Sequence, residues 1–357
     1  MLKSGPRILA AAAAAITGCV LLGMTPCRSL AQSGPSGIVT EEMMVPATDE
    51  GISLYVRNKH PAGISKFRPE RTLLFVHGST YPAETSFDLP LAGRSWMDEI
   101  AAKGYDVYLV DLRGYGRSTR PPEMSQAPEA NGPIVRTETA VKDVGSAVDA
   151  ILKRRGLAKL DLMGWSWGTT IMASYTTQHP DKVSRLVLYA PQWIRTTPSP
   201  MATGSGPLGA YRSVTKQTAH ERWLTGVPHD KVDSLIPAGW FEQWAAATFA
   251  TDPIGAKAEP AVIRAPNGTV ADAKDYWSSN KPVYDPAKIV VPTLLVGAEW
   301  DRDCPAYMRQ ALFPLLVNAP GKRYIELAEG THTILMEKNR LELFRAVQTF
   351  LDEGGGS

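Results

Sequence analysis

The stretch Gly164-Trp165-Ser166-Trp167-Gly168 decides how this chain is read. It fits the pattern G-x-S-x-G, and its flanks carry the argument. Upstream, Lys159-Leu160-Asp161-Leu162-Met163 is a short apolar run that reads as a buried strand. Downstream, Thr169-Thr170-Ile171-Met172-Ala173-Ser174-Tyr175 reads as a helix running to His179-Pro180. A serine on a sharp turn between strand and helix projects above its sheet. The two glycines permit a turn that a Cβ would obstruct. The helix that follows turns the positive end of its dipole toward any negative charge formed at the serine.

A serine hydroxyl needs a general base, and the base needs an orienting carboxylate. Both partners lie downstream. The apolar run Val291-Pro292-Thr293-Leu294-Leu295-Val296-Gly297 ends in the acidic loop Ala298-Glu299-Trp300-Asp301-Arg302-Asp303-Cys304-Pro305. Glu299, Asp301 and Asp303 are the candidate acids there. A short strand, Lys322-Arg323-Tyr324-Ile325-Glu326-Leu327, then leads through Ala328-Glu329-Gly330-Thr331 to His332. Of the 6 histidines, His332 alone sits in a loop between a terminal strand and a closing helix. His60 lies in a Pro/Gly loop and His179 precedes a proline at a helix end. His220 and His229 lie far from any motif.

At these residues the chain resembles the α/β-hydrolase superfamily, over about residues 39–351. Four motifs carry the likeness, in the family's order. They are Phe75-Val76-His77-Gly78, Asp111-Leu112-Arg113-Gly114-Tyr115-Gly116-Arg117-Ser118, the serine turn, and the acid–histidine pair. The resemblance implies that Asp301 is the acid, because Asp301 and Pro305 match the family pattern E-x-D-x-x-x-P. It implies that His77 is structural. It implies an oxyanion hole made by the amides of Ser79 and Trp167. The fold it implies is α/β: a mostly parallel eight-stranded sheet, flanking helices, and a helical cap inserted after the sixth strand.

The sequence pattern agrees with that plan. Strand-like runs alternate with helical ones, which argues for a parallel sheet covered on both faces. Segments 38–44 and 52–56 read as antiparallel edge strands. Segments 73–76, 107–111, 160–163, 186–189, 293–296 and 323–327 read as the core. Ala140, Val144, Ala147, Val148 and Ile151 predict a helix over 139–154, stopped by Gly156. A closing helix is expected over 337–350. Residues 192–288 break the alternation, are too long for an ordinary connection, and are rich in aromatics. They are the expected cap, with 32–191 and 289–353 as the core. Trp165, Trp240 and Trp244 are the expected pocket walls; Trp240 and Trp244 share a helix face at spacing i, i+4.

The first residues carry a different signal. Lys3 and Arg7 precede an apolar, alanine-rich run, and Ser29-Leu30-Ala31 fits a small-x-small cleavage site. Residues 1–31 are therefore expected to be a secretory leader, with a periplasmic or secreted product and no stable membrane span after cleavage. The alternative is a lipoprotein anchored through Cys19 in Ile16-Thr17-Gly18-Cys19. Cleavage removes Lys3, Arg7 and Arg28 and no acid, taking the formal charge from +2 to −1. No basic stripe remains to suggest a nucleic-acid partner. Of the 3 cysteines only Cys304 would remain, so no internal disulfide is expected. The terminal Gly354-Gly355-Gly356-Ser357 reads as a flexible tail.

The expected function is a serine hydrolase acting on an ester or lactone, either a small molecule or a polymer, through an acyl-enzyme on Ser166. No metal or organic cofactor is expected, since this chemistry needs neither. Three alternatives stay open. The run Ser166-Trp167-Gly168-Thr169-Thr170 is similar to the S-W-G-S-T of proline iminopeptidases, although their H-G-G-P-G loop is replaced here by His77-Gly78-Ser79-Thr80. Some relatives cleave C–C bonds with the same nucleophile. A hydrolase-like binding protein with little turnover is the third.

Overall fold

The computed structural model describes residues 1–2, 5, 32–33, 37–201 and 206–353. The leader reading of 1–31, the Cys19 alternative and the tail at 354–357 therefore lie outside the described residues, apart from Met1, Leu2 and Gly5. Among the described residues no helix is long and apolar enough to cross a membrane.

The strands, in chain order, are β1 (Gln32–Ser33), β2 (Ile38–Pro46), β3 (Ser53–Pro61), β4 (Thr72–Val76), β5 (Asp106–Val110), β6 (Leu160–Trp165), β7 (Val183–Tyr189), β8 (Tyr211–Thr215), β9 (Val262–Pro266), β10 (Thr293–Ala298) and β11 (Arg323–Leu327). The main sheet has the order β1-β2-β3-β5-β4-β6-β7-β10-β11. From β5 to β11 every pairing is parallel, while β2 and β3 are antiparallel at one side. This is the expected eight-stranded sheet, with the two-residue β1 added at its edge. β4, β5 and β6 are buried at every residue, which suits strands covered on both faces and explains their unbroken apolar sequences.

The helices of the core are α1 (Ala83–Phe87), α2 (Trp96–Ala102), α3 (Thr137–Arg155) and α4 (Trp167–Gln178). α3 ends as its sequence predicts. Gly156 takes φ 66°, ψ 35° and returns its N–H to the Leu152 carbonyl. β4 lies between β5 on one side and β6 on the other, so successive crossovers run in opposite directions from it. The crevice beyond the carboxyl ends of such strands is where open α/β sheets bind ligands.

Between β7 and β10 the chain leaves the sheet. This segment carries α5 (Lys216–Trp223), α6 (Val232–Leu235), α7 (Trp240–Phe249) and α8 (Gly268–Asp275). It also holds an antiparallel pair, β8 with β9, that the expectation of a purely helical insertion lacked. α9 (Ala306–Leu315) and α10 (Arg340–Asp352) complete the fold. The closing helix starts three residues later than its periodicity suggests, because Glu337 is extended (φ −109°, ψ 174°) rather than helical.

Candidate active site

Ser166 occupies the turn between β6 and α4 with φ 57°, ψ −120°. A residue with a Cβ rarely adopts this conformation, and holding it costs about 1–3 kcal/mol. Its surroundings impose it. The Ser166 amide donates to the Tyr189 carbonyl at 2.9 Å, and the amide and hydroxyl of Thr169 donate to the Ser166 carbonyl at 2.9 and 2.5 Å. The flanking glycines are required by contact. A Cβ on Gly164 would lie 2.2 Å from the Gly168 carbonyl oxygen, and one on Gly168 would lie 2.7 Å from that of His77.

His332 follows β11, and its loop is tied down by the same strands. Its carbonyl accepts from Nε1 of Trp165 at 3.1 Å and from the Tyr189 hydroxyl at 2.7 Å. Its Nδ1 meets Oδ1 and Oδ2 of Asp301 at 3.0 and 2.9 Å. Nδ1 therefore carries the hydrogen in the neutral ring, and Nε2 is left as the basic nitrogen. Ser166 and His332 line one cavity. No hydrogen bond joins the Ser166 hydroxyl to His332 among the described residues, and such bonds commonly tighten only with substrate in place.

Asp301 is fully buried. Burial alone would raise its carboxyl, but the His332 charge and hydrogen bond outweigh that and hold it below the ordinary range. The Cys304 amide donates to Oδ1 at 2.7 Å. The same pairing acts on His332: burial lowers its pKa, the Asp301 charge raises it, and the net direction is upward. Arg309 supports this arrangement. It is 0% exposed, lies against Gly297, and donates to the carbonyls of Cys304 and Ala298 at 2.7 and 3.2 Å. The other candidate acids are disposed differently. Glu299 is exposed, and Asp303 is paired with Arg222 at 3.0 Å. Cys304 lies within 4.8 Å of the Asp301 and His332 ligand atoms, but burial and the Asp301 charge push its thiol well up, so it stays protonated.

The loop after β4 faces Ser166. A Cβ on Gly78 would be 3.2 Å from the Ser166 Cβ. The amides of Ser79 and Trp167 have no acceptor among the described residues. The Ser79 carbonyl is held from behind, by the Tyr115 hydroxyl at 2.9 Å and by Nη2 of Arg212 at 2.8 Å. His77 is buried beneath this loop. Burial pushes its pKa down to about 4, its Nε2 accepts from the Leu112 amide at 3.1 Å, and its Nδ1 donates to the Gly78 carbonyl at 2.6 Å.

The cleft takes in about 440 Å³, counting the space that opens to solvent. Its walls are Gly78 to Tyr81, Trp165, Ala219, Arg222, Trp223, Asp303 and Thr333 around Ser166 and His332. Trp165 is one of these walls. Trp167 is fully buried and donates Nε1 to the Thr137 hydroxyl at 2.9 Å. Trp240 and Trp244 do not line the cavity. Trp244 is buried behind Tyr81 and Trp223, 4.7 and 5.2 Å from their ring centres, and Trp240 packs on the Arg340 guanidinium at 4.6 Å. Shared helical spacing gave them one face but not the identity of their neighbours. Ala219 and Trp223, on α5, take the lining place. Filling the cavity by Ala219→Leu should shift preference toward shorter esters by about tenfold with little change in Tm, since the added bulk meets substrate space. Trp244→Ala should instead lower Tm on the order of 5–10 °C while disturbing substrate ranking less, because it opens a core void. Melting curves and an ester-length series check both.

Glu337, which helical periodicity places in the closing helix, lies ahead of that helix as a buried polar residue beside the site. It is 0% exposed. Its carboxyl accepts from Nε1 of Trp223 at 2.8 Å, from the Thr331 amide at 3.0 Å, and from the Thr331 hydroxyl. It thus ties α5 to the loop that carries His332. Burial raises its pKa to about 7 against these lowering hydrogen bonds. A carboxyl raised in the fold holds a proton that the unfolded chain releases. Its contribution to stability is therefore full below about pH 4.5 and is lost as pH rises through about 7. At about 1.4 kcal/mol per pH unit the effect is bounded at about 3 kcal/mol. The Tm of the native chain relative to Glu337→Gln should fall between pH 5 and pH 8; a constant difference would contradict the assignment.

The sequence profile of the alpha/beta hydrolase fold matches residues 71–338. A probable proline iminopeptidase of Streptomyces coelicolor is 30% identical over 179 residues, covering 48% of this chain and 50% of that one. A proline iminopeptidase of Xylella fastidiosa is 31% identical over 84 residues, covering 24% of this chain and 23% of that one. The chain thus spans half or less of the curated relatives it matches. Among solved structures, an esterase from Thermogutta terrifontis superimposes with a TM-score of 0.53 at 18% identity, covering 87% of this chain and 98% of that one. Est816, described as an N-acyl homoserine lactone degrading enzyme, does so with 0.56 at 16% identity, covering 86% and 100%. Likeness at such identity speaks for the fold alone. The profile match over most of the chain, on a sheet of this order, means that the protein belongs to the alpha/beta hydrolase fold family.

Proposed function

We propose that the protein is a serine hydrolase that cleaves a carboxylic ester or lactone through an acyl-enzyme on Ser166. The observation that carries this reading is the Asp301–His332 pair, at 2.9 Å, opening on the same cavity as a serine held at φ 57°. Ser166 attacks the carbonyl carbon as Nε2 of His332 takes its proton. The Ser79 and Trp167 amides receive the oxyanion. His332 then protonates the leaving oxygen, and water repeats the sequence on the acyl-enzyme. Asp301 fixes the ring's tautomer and stabilises its charged form. Residues 192–288 act as the cap over a core of 32–191 and 289–353.

A peptidase is the second reading, favoured by the iminopeptidase relatives. A substrate with an N-terminal proline presents a positive amine, which an unpaired carboxylate would favour. The carboxylate lining the cavity is Asp303, and it is already engaged by Arg222 through Nε and Nη2. This supports the ester reading. Purified protein assayed on p-nitrophenyl esters of graded length, a lactone and a proline anilide separates the two. Turnover of the anilide above every ester would overturn our choice. We further propose that the protein is exported and matures at Gln32; the intact mass of the recovered protein tests this.

A further inference from the structure

One guanidinium, Arg222, lines the cavity, and two more, Arg212 and Arg195, bond residues of its wall. Arg222 lines the cavity beside Ser166 and His332. It spends Nε and Nη2 on Asp303, at 3.0–3.2 Å, and Nη1 has no partner among the described residues. Arg212, on β8, supports the Ser79–Thr80 wall through the Ser79 carbonyl at 2.8 Å and the Thr80 hydroxyl at 2.9 Å. Its other contacts are the Pro266 carbonyl at 2.8 Å and the Asn267 amide oxygen at 3.5 Å. Arg195 reaches the Asp303 and Pro198 carbonyls and the Thr197 hydroxyl. Neither Arg195 nor Arg212 has a carboxylate partner among the described residues. Burial, then the neighbouring Arg222 charge, pull the pKa of Arg212 down. Arg222 itself keeps its charge, because Asp303 raises its pKa against burial, while Arg212 stands as a second, uncompensated cation near it. The remaining walls, Ser79, Thr80, Tyr81, Trp165, Ala219 and Trp223, are neutral.

On the reading of Ser166 as nucleophile, we propose that the substrate carries a carboxylate, received by Arg222 at the cap end of the cavity. The Asp301 carboxylate faces the His332 ring, which matches it when protonated, and it shares Arg309, 3.9 Å from Nη1, with Glu326, which takes Nη2 at 2.9 Å. Asp303 holds the Arg222 fork in place and moderates its charge. A planar guanidinium with a free edge suits an oxyacid better than it suits an amide or an alkyl chain. The class is thus an ester or lactone with an acid group in the same molecule, and its hydrolysis releases a product with one more negative charge.

The test uses sulfonylation of Ser166 by phenylmethanesulfonyl fluoride, with protection by hexanoate, hexanamide or hexylammonium. Hexanoate should protect with an inhibition constant at least tenfold lower than the other two. Arg222→Gln should remove that preference, and Asp303→Asn should strengthen it by about threefold or more. If hexanamide or hexylammonium protects as well as hexanoate, the proposal fails. It also fails if the preference survives Arg222→Gln, since the Ser79 and Trp167 amides alone would then be its source. If the native protein is not sulfonylated at Ser166 at all, it is the nucleophile assignment that fails. Should Arg222→Gln not fold, the opposite shift in Asp303→Asn decides the matter.

Discussion

Replacing Ser166 by alanine is expected to lower ester turnover on the order of 10³-fold or more, while the fold persists. The size follows from the way the nucleophile, base and acid act as a unit, so losing one forfeits most of what all supply together. What remains should come from the Ser79 and Trp167 amides and from binding. The hydroxyl makes no hydrogen bond among the described residues, so its loss removes no contact that holds the turn. Alanine also retains the Cβ, and the strain at φ 57° stays as it was. Tm should therefore change little. A variant within about tenfold of native turnover would remove Ser166 from the mechanism.

Asp301→Asn is expected to be nearly as damaging, on the order of 10³- to 10⁴-fold. An amide can present its N–H₂ toward Nδ1 and so stabilise the wrong tautomer, with the hydrogen on Nε2. It also withdraws the charge that raises the His332 pKa against burial. The pH–rate profile gives a second check. His332 has its pKa raised in the native chain, so the alkaline shift of its titration should be lost in the variant, and the acid limb should move to lower pH. Asp303→Asn should retain at least about one tenth of native turnover on a neutral ester, because Asp303 touches Arg222 and not the His332 ring nitrogen. If Asp303→Asn were the inactive variant and Asp301→Asn the active one, the acidic loop would be misassigned.

Much of the fold was legible because parallel strands buried on both faces leave unbroken apolar runs between helical periods. β11 runs over the residues its sequence marks, and β4, β5 and β6 differ from their expected limits by a residue or two. That Asp301 meets His332 and that His332 shares a cavity with Ser166 was legible for another reason. Each lies in the turn or loop that follows a strand's carboxyl end, and the topology of the sheet brings those ends together. What stayed hidden depends on contacts between distant segments. β8 and β9 pair across a gap that leaves no local signal. Arg222 and Asp303 are 81 residues apart, so neither position marks the other. Glu337 continues a helical pattern in sequence, yet its carboxyl turns back to Thr331 and Trp223, and the backbone stays extended to let it. Trp240 and Trp244 show the limit of periodicity, which assigns a face and not what that face meets.

The most direct measurement is a rapid-mixing assay with a p-nitrophenyl ester, followed by mass spectrometry of the quenched protein. The account predicts a burst of nitrophenolate approaching one equivalent per chain where deacylation is slow, and an acyl mass on the peptide that contains Ser166. Both should vanish in Ser166→Ala. Turnover with the acyl group on another residue, or undiminished turnover by Ser166→Ala, would contradict the account.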